Sequence, residues 1–152
     1  MHKLMQPRGI RNNNPGNIRL SKTRWKGQKE EQVDRDFIEF ETETDGLRAL
    51  FRLLLTYHLK YGLDTVESII NRYAPPRENA TDHYIYSVAR SVGVKRNALL
   101  DLTQPKTMAA VARAIVRHEN GHPPAGVPEY WYPPEIYAAA LARVFGQEGE
   151  TA

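Results

Sequence analysis

Cysteine is absent from the 152-residue chain. Disulfides, thiol nucleophiles and cysteine-ligated zinc are excluded with it. No apolar run approaches the roughly 18–20 residues of a membrane-spanning helix. Met1 to Ile10 has neither the apolar core nor the small-residue cleavage site of a secretory leader. The protein is therefore expected to be made in the cytoplasm and to need another route to any site outside it. Internal repeats and low-complexity tracts are also missing. Residues 1–29 lack acidic side chains but carry eight Lys or Arg, whereas residues 30–45 hold eight acids and one base, Arg35. The remaining residues are near balance, with twelve bases and ten acids. A basic arm beside an acidic strip suits contact with nucleic acid or with another anionic polymer such as a cell wall. It equally suits a surface whose charges compensate each other. No nucleic-acid recognition motif accompanies the arm, so no nucleic-acid partner is expected.

What remains is the balance of an ordinary globular protein, 41% hydrophobic and 26% charged. A chain of this length forms one domain and buries enough surface to need no covalent staple. Residues 1–146 are expected to be that domain, and residues 147–152 a flexible tail.

The first 42 residues are rich in turn formers, above all Arg11-Asn12-Asn13-Asn14-Pro15-Gly16-Asn17. Short strands are predicted near Ile18–Leu20 and at Phe37–Phe40, a small β-ribbon with a tight loop at its entrance. From residue 43 the period becomes helical. Leu47, Leu50, Phe51, Leu54, His58 and Tyr61 form one stripe, which Gly62 stops. A second helix is predicted from Asp64 with Glu67 as its capping box, broken by Ala74-Pro75-Pro76. A third is predicted from near Thr81 to Gly93. A fourth opens at Thr103-Gln104-Pro105 and ends at Asn120-Gly121, and a fifth runs from Pro133-Pro134 to Gly146. The fold class is α+β and mostly α.

Glu119 stands out because it continues an apolar stripe. It lies four residues after Ile115, seven after Ala112 and eleven after Met108, steps that return to one helix face. It also occupies the last turn, where unpaired carbonyls make the helix end partially negative. Partial burial and that negative end both favour the protonated acid, the form a general acid requires. The same stretch, His118-Glu119-Asn120-Gly121-His122, matches the zinc-peptidase pattern H-E-x-x-H. That motif needs both imidazoles on one helix face. Asn and Gly as spacers, with Pro123-Pro124 following, oppose a helix through His122, and only Glu129 or Glu135 is at hand as a third ligand.

Arg8-Gly9-Ile10-Arg11-Asn12-Asn13-Asn14-Pro15-Gly16-Asn17-Ile18-Arg19 resembles a phage and prophage family of structural or muralytic proteins. The family is similar to the wall-degrading enzyme of enveloped double-stranded RNA phages. The resemblance continues through Trp25-Lys26-Gly27, Phe37–Thr42, Gly46–Leu50, Tyr73-Ala74-Pro75-Pro76, Glu78–Thr81, Tyr84-Ile85 and Ala114–Gly121, about residues 8–122. It implies a relation to the lysozyme-like superfamily of lytic transglycosylases and glucosaminidases, and action on peptidoglycan. In most such enzymes the catalytic Glu lies on an early helix, before the ribbon. Here the ribbon-like segment comes first and Glu119 is late, which implies a circularly permuted order with Glu119 as the catalytic acid.

Glycan cleavage needs a proton delivered to the leaving oxygen as an oxocarbenium-like centre develops. An inverting hydrolase also needs a second carboxylate about 6.5–9.5 Å away, for which Glu39 and Glu78 are the candidates. A lytic transglycosylase does without one, because the muramyl 6-hydroxyl attacks within the substrate, and a single distinguished carboxylate favours that course. Asn14, Asn17 and Asn79 can donate to and accept from acetamido groups, and Tyr73 and Tyr84 can line sugar faces or hold Glu119. Turn formation and helix packing are the alternative roles for all five. Tyr130-Trp131-Tyr132 suits either a cleft wall or packing on the following helix. The expected protein is a monomeric peptidoglycan-cleaving enzyme without metal or other cofactor, carried by a phage or delivered as an effector to the periplasmic wall, with other virion or secretion components as candidate partners. A cell-wall endopeptidase and a non-catalytic peptidoglycan-binding virion protein are the rival readings.

Overall fold

The computed structural model describes residues 6–74 and 78–146, with the side chains of Glu78 and Asn79 excepted. The Pro75-Pro76 break, the proposed roles of Glu78 and Asn79, and the tail at 147–152 lie outside the described residues. Six helices follow one another: α1 (Arg8–Arg11), α2 (Glu43–Tyr61), α3 (Val66–Tyr73), α4 (Glu78–Val92), α5 (Pro105–Asn120) and α6 (Pro134–Phe145). The protein is mostly helical. Where the ribbon is predicted, two isolated antiparallel bridges form, Arg19 with Phe37 and Gln28 with Phe40. Main-chain bonds such as Ile38 N to Ile18 O at 3.0 Å and Lys29 N to Glu39 O at 2.9 Å hold these extended segments together.

α2 is the central helix and packs against α3, α5 and α6. Thr42 caps it by accepting from Asp45 N, and Gly62 ends it in the left-handed region at φ 66°. Leu47, Leu50, Phe51 and Leu54 of its predicted stripe are fully buried. They join Ile69, Ile70, Ile85, Val88, Met108, Val111 and Ile115 in the main core. Each such side chain contributes about 1.5–3 kcal/mol on burial. A second, smaller core of Ile18, Trp25, Ile38, Phe40 and Ala49 seats the extended segments on the outer face of α2.

Two local expectations shift. The capping box of α3 is Thr65 with Ser68, not Asp64 with Glu67. Two hydroxyls close that turn, while the Glu67 carboxylate accepts from Arg96 Nε at 2.5 Å. α1 is a helical turn at the entrance to the asparagine loop, where no helix is predicted. It is held from outside: Arg8 donates from Nε and Nη2 to the two oxygens of Asp34 at 2.7 and 2.6 Å. This fork holds the Asp34 carboxyl well below the usual carboxylate range. Arg8 also reaches Asp36 at 3.1 Å. The basic arm and the acidic strip thus compensate each other here.

Candidate functional site

The asparagine loop is built by its own side chains. Asn13 and Asn17 take left-handed conformations, φ 53° and 51°, which asparagine tolerates better than most residues. Asn14 is fully buried. Its Nδ2 donates to Ile18 O and Ile38 O, each at 2.9 Å, and its Oδ1 accepts from Ile18 N at 3.0 Å. Both ends of that amide are therefore engaged in the loop, which leaves Asn14 no reach to a ligand. Asn120, one residue past Glu119, ties the loop to α5: its Nδ2 donates to Pro15 O at 2.8 Å and to Val116 O at 2.9 Å. Gly9 permits this approach, since a Cβ there would lie 2.6 Å from Asn120 Oδ1 and 2.7 Å from Asn17 Oδ1.

The loop so fixed meets the last turn of α5. Asn17 Nδ2 donates to Glu119 Oε1 at 2.8 Å, and the Tyr84 hydroxyl donates to Oε2 at 2.8 Å. Glu119 is half-buried, and each carboxylate oxygen keeps a lone pair for another partner. The Tyr84 ring stacks on His118, centroids 3.7 Å apart and planes 22° apart. The Tyr73 hydroxyl donates to Gly16 O, bracing the loop from α3. Burial first, and the Glu119 charge second, push both Tyr73 and Tyr84 well above the usual phenol value, so both remain donors at neutral pH. Burial, followed by the nearby His83, lowers His118 below the usual imidazole value.

Glu119 stands where two clefts join. The larger, about 550 Å³, is walled by Asn17, Trp25, Phe37, Tyr57, Arg72 and Tyr73 among others. The smaller, about 380 Å³, runs along Ala80, Thr81, Tyr84 and His118. Arg19, Ala74 and Glu119 line both. Glu119 is the one carboxylate lining either cleft among the described residues. The cationic wall is held by aromatic faces, with Arg19 over Phe37 at 4.9 Å and Arg72 over Tyr61 at 3.8 Å.

Of the sequence-predicted residues, Glu119, Asn17, Tyr73 and Tyr84 come together. Glu39 does not join them. Its Oε2 accepts from Val33 N at 2.6 Å and Asp34 N at 2.8 Å, which closes a surface turn. His122 does not continue the His118 face, because α5 ends at Asn120 and Gly121 redirects the chain at φ 79°. Its Nδ1 instead pairs with Arg117 Nη2 at 2.6 Å. No group of three or more His, Asp or Glu is gathered to hold a metal among the described residues. Tyr130-Trp131-Tyr132 packs rather than lining these clefts. Trp131 Nε1 donates to Gly121 O at 2.9 Å, and Tyr137 donates to Tyr130 O at 2.6 Å. Arg19, Tyr57, Arg72 and Asn120 are not marked by the sequence as site residues. Only Asn120 carried a signal there, four residues after the buried Val116.

No helix among the described residues is long and apolar enough to cross a membrane. No protein-family model matches the chain. It is similar to protein P5 of Pseudoalteromonas phage PM2, with 44% identity over 120 residues that make up 77% of this chain and 73% of that protein. On that likeness, the chain belongs to the family of the phage PM2 protein P5.

Proposed function

We propose that this protein cleaves the glycan strand of peptidoglycan, with Glu119 as the acid and base, and that it does so by lytic transglycosylation. The observation that carries the reading is one carboxylate, gripped by Asn17 and Tyr84, at the joint of two clefts. A polymer-cleaving enzyme needs sugar-binding space on both sides of the reacting bond, and the paired clefts supply it. Trp25, Phe37, Tyr57 and Tyr73 offer apolar faces to sugar rings, and Arg19 and Arg72 offer donors to acetamido or carboxyl oxygens.

In this mechanism the Glu119 carboxylic acid gives its proton to the bridging oxygen as the C1–O bond breaks. The muramyl 6-hydroxyl then bonds to C1 and returns its proton to Glu119, closing an anhydro ring. One carboxylate serves both steps. The hydrogen bonds from Asn17 and Tyr84 fix its plane, so little reorganisation is needed between them. A lysozyme-like architecture in permuted order, with the loop and ribbon segment ahead of the acid-bearing helix, belongs to the same proposal. So does delivery to the wall as a phage component.

Purified sacculi digested with wild type and with Glu119→Gln test it, products being read by mass spectrometry. Wild type is expected to release anhydromuropeptides, and the variant to lose roughly 10²–10⁴ in rate. Reducing-end products would mean hydrolysis, and free peptides would mean peptidase action. Full activity in the variant would remove Glu119 from the chemistry.

A further inference from the structure

We infer that a third cleft, contiguous with the Glu119 groove, is a recognition cup for a free carboxylate on a peptide stem of the strand. The inference rests on reading that groove as a glycan-strand site, and it adds what the strand must carry. The cup encloses about 500 Å³ between α4 and α5. Ser87, Arg90 and Ser91 face it from α4 at the three- and four-residue spacing of one helix face. Arg117 and His118 face it from α5, with His122 beyond the helix end. Two guanidiniums, two imidazoles and two hydroxyls thus converge, and no Asp or Glu lines the cup among the described residues. Ala114, about one turn before Arg117 and His118 on α5, adds no polar group to the lining.

The donors suit a planar anion. Arg90 gives one N–H to the Tyr86 hydroxyl at 3.3 Å. Arg117 gives Nη2 to His122 and reaches Glu129, which is not part of the lining, at 3.4 Å. A guanidinium has five donors in a flat fork that matches a carboxylate, so both retain capacity. The two serine hydroxyls can meet the amides that flank such a carboxylate.

Position selects the occupant. His118 lines both the cup and the smaller Glu119 cleft. Arg117 and Glu119 are two residues apart on α5, which places them on opposite sides of the helix, so a chain that passes from one to the other round a cylinder about 10–12 Å across covers roughly 16–19 Å. An extended peptide of five residues spans about 16–18 Å. Peptide stems leave the glycan at the muramyl sugar and carry free carboxylates within that reach. A strand seated at Glu119 therefore brings a stem carboxylate to the cup.

The test uses full-length Glu119→Gln protein, which leaves strands uncut, and three fluorescent probes in an anisotropy titration. They are glycan strands bearing stems, strands stripped of stems by an amidase, and stem-bearing strands whose carboxylates are converted to amides. Stem-bearing strands are expected to bind about tenfold more tightly than either other probe, as for a hydrogen-bonded charge. Adding Arg90→Gln and His122→Gln is expected to abolish that difference. Arg90 is exposed, and circular dichroism checks that the variant remains folded. Equal binding of all three probes, binding of none, or a preference that survives the two substitutions overturns the cup. If wild type cuts no strand yet the preference holds, the cup stands and the cleavage reading falls. If wild type cuts strands but the preference is missing, the cleavage reading stands and the cup falls.

Discussion

Tyr84 touches Glu119 with its hydroxyl and His118 with its ring, so a single substitution separates the two contacts. Tyr84→Phe keeps the stacked ring and removes one of the two donors that fix the carboxylate. A hydrogen bond to a charged group contributes about 1.5–3 kcal/mol, so kcat on sacculi is expected to fall roughly 10- to 100-fold. Loss of the same bond is expected to lower stability by about 1.5–3 kcal/mol. Initial rates of turbidity clearing, set beside a thermal melt, separate the two effects. An unchanged rate would show that Asn17 alone suffices to orient Glu119. The neighbouring asparagines show where residue identity stops being informative. Asn14 and Asn17 have the same side chain in the same loop, yet one amide closes the loop and the other reaches the carboxylate. Nothing in the residue type distinguishes them; the difference lies in the backbone, which turns left-handed at Asn17 with φ 51°.

At the scale of elements, the site depends on how closely α1 and its loop approach α5. Gly9 is the point of contact: a Cβ there would meet Asn120 Oδ1, Asn17 Oδ1 and, at 2.9 Å, Asn14 O. Asn17 is held by its hydrogen bond to Glu119, and Asn120 by its bonds to Pro15 O and Val116 O, so neither is free to swing outward at no cost. Gly9→Ala is expected to push the loop away from α5 and to carry Asn17 off Glu119. Overpacking of this kind costs about 1–3 kcal/mol and lowers Tm by roughly 2–12 °C, with activity falling beside it. A variant that melts and cuts like wild type would show that the loop can yield without cost. This junction also marks what the sequence could show. α2, α5 and α6 were legible because an apolar stripe and a glycine stop coincide in each, and Glu119 was legible because it extends such a stripe. α1 was not, since the Arg8–Asp34 fork that stabilises it joins residues far apart in the chain. For the same reason the cleft wall of Arg19, Trp25, Tyr57 and Arg72 escaped notice, being assembled from three separate segments.

Across the whole molecule, the tyrosines set the alkaline limit. Tyr73, Tyr84, Tyr132 and Tyr137 are all raised above the usual phenol value, in each case chiefly by burial. They lie on α3, on α4 and around α6, so their ionisation strains both the site and the core beneath it. The folded protein keeps these protons past pH 10, whereas an unfolded chain releases them from about pH 10 upward. The unfolded state thus binds fewer protons there, and stability must fall as pH rises. It is fully present below about pH 10 and is lost through the interval up to the folded values. Each tyrosine contributes a slope of about 1.4 kcal/mol per pH unit, so four together give roughly 5 kcal/mol per unit. Against a typical total of about 5–15 kcal/mol, cooperative unfolding is expected within roughly one to three units above pH 10. Thermal melts stepped through this range, with phenolate absorbance recorded in parallel, should show the ionisation of these tyrosines arriving together with unfolding. Ionisation of all the tyrosines while the protein remains folded would mean that these phenols are open to water and that Tyr84 is not buried against Glu119.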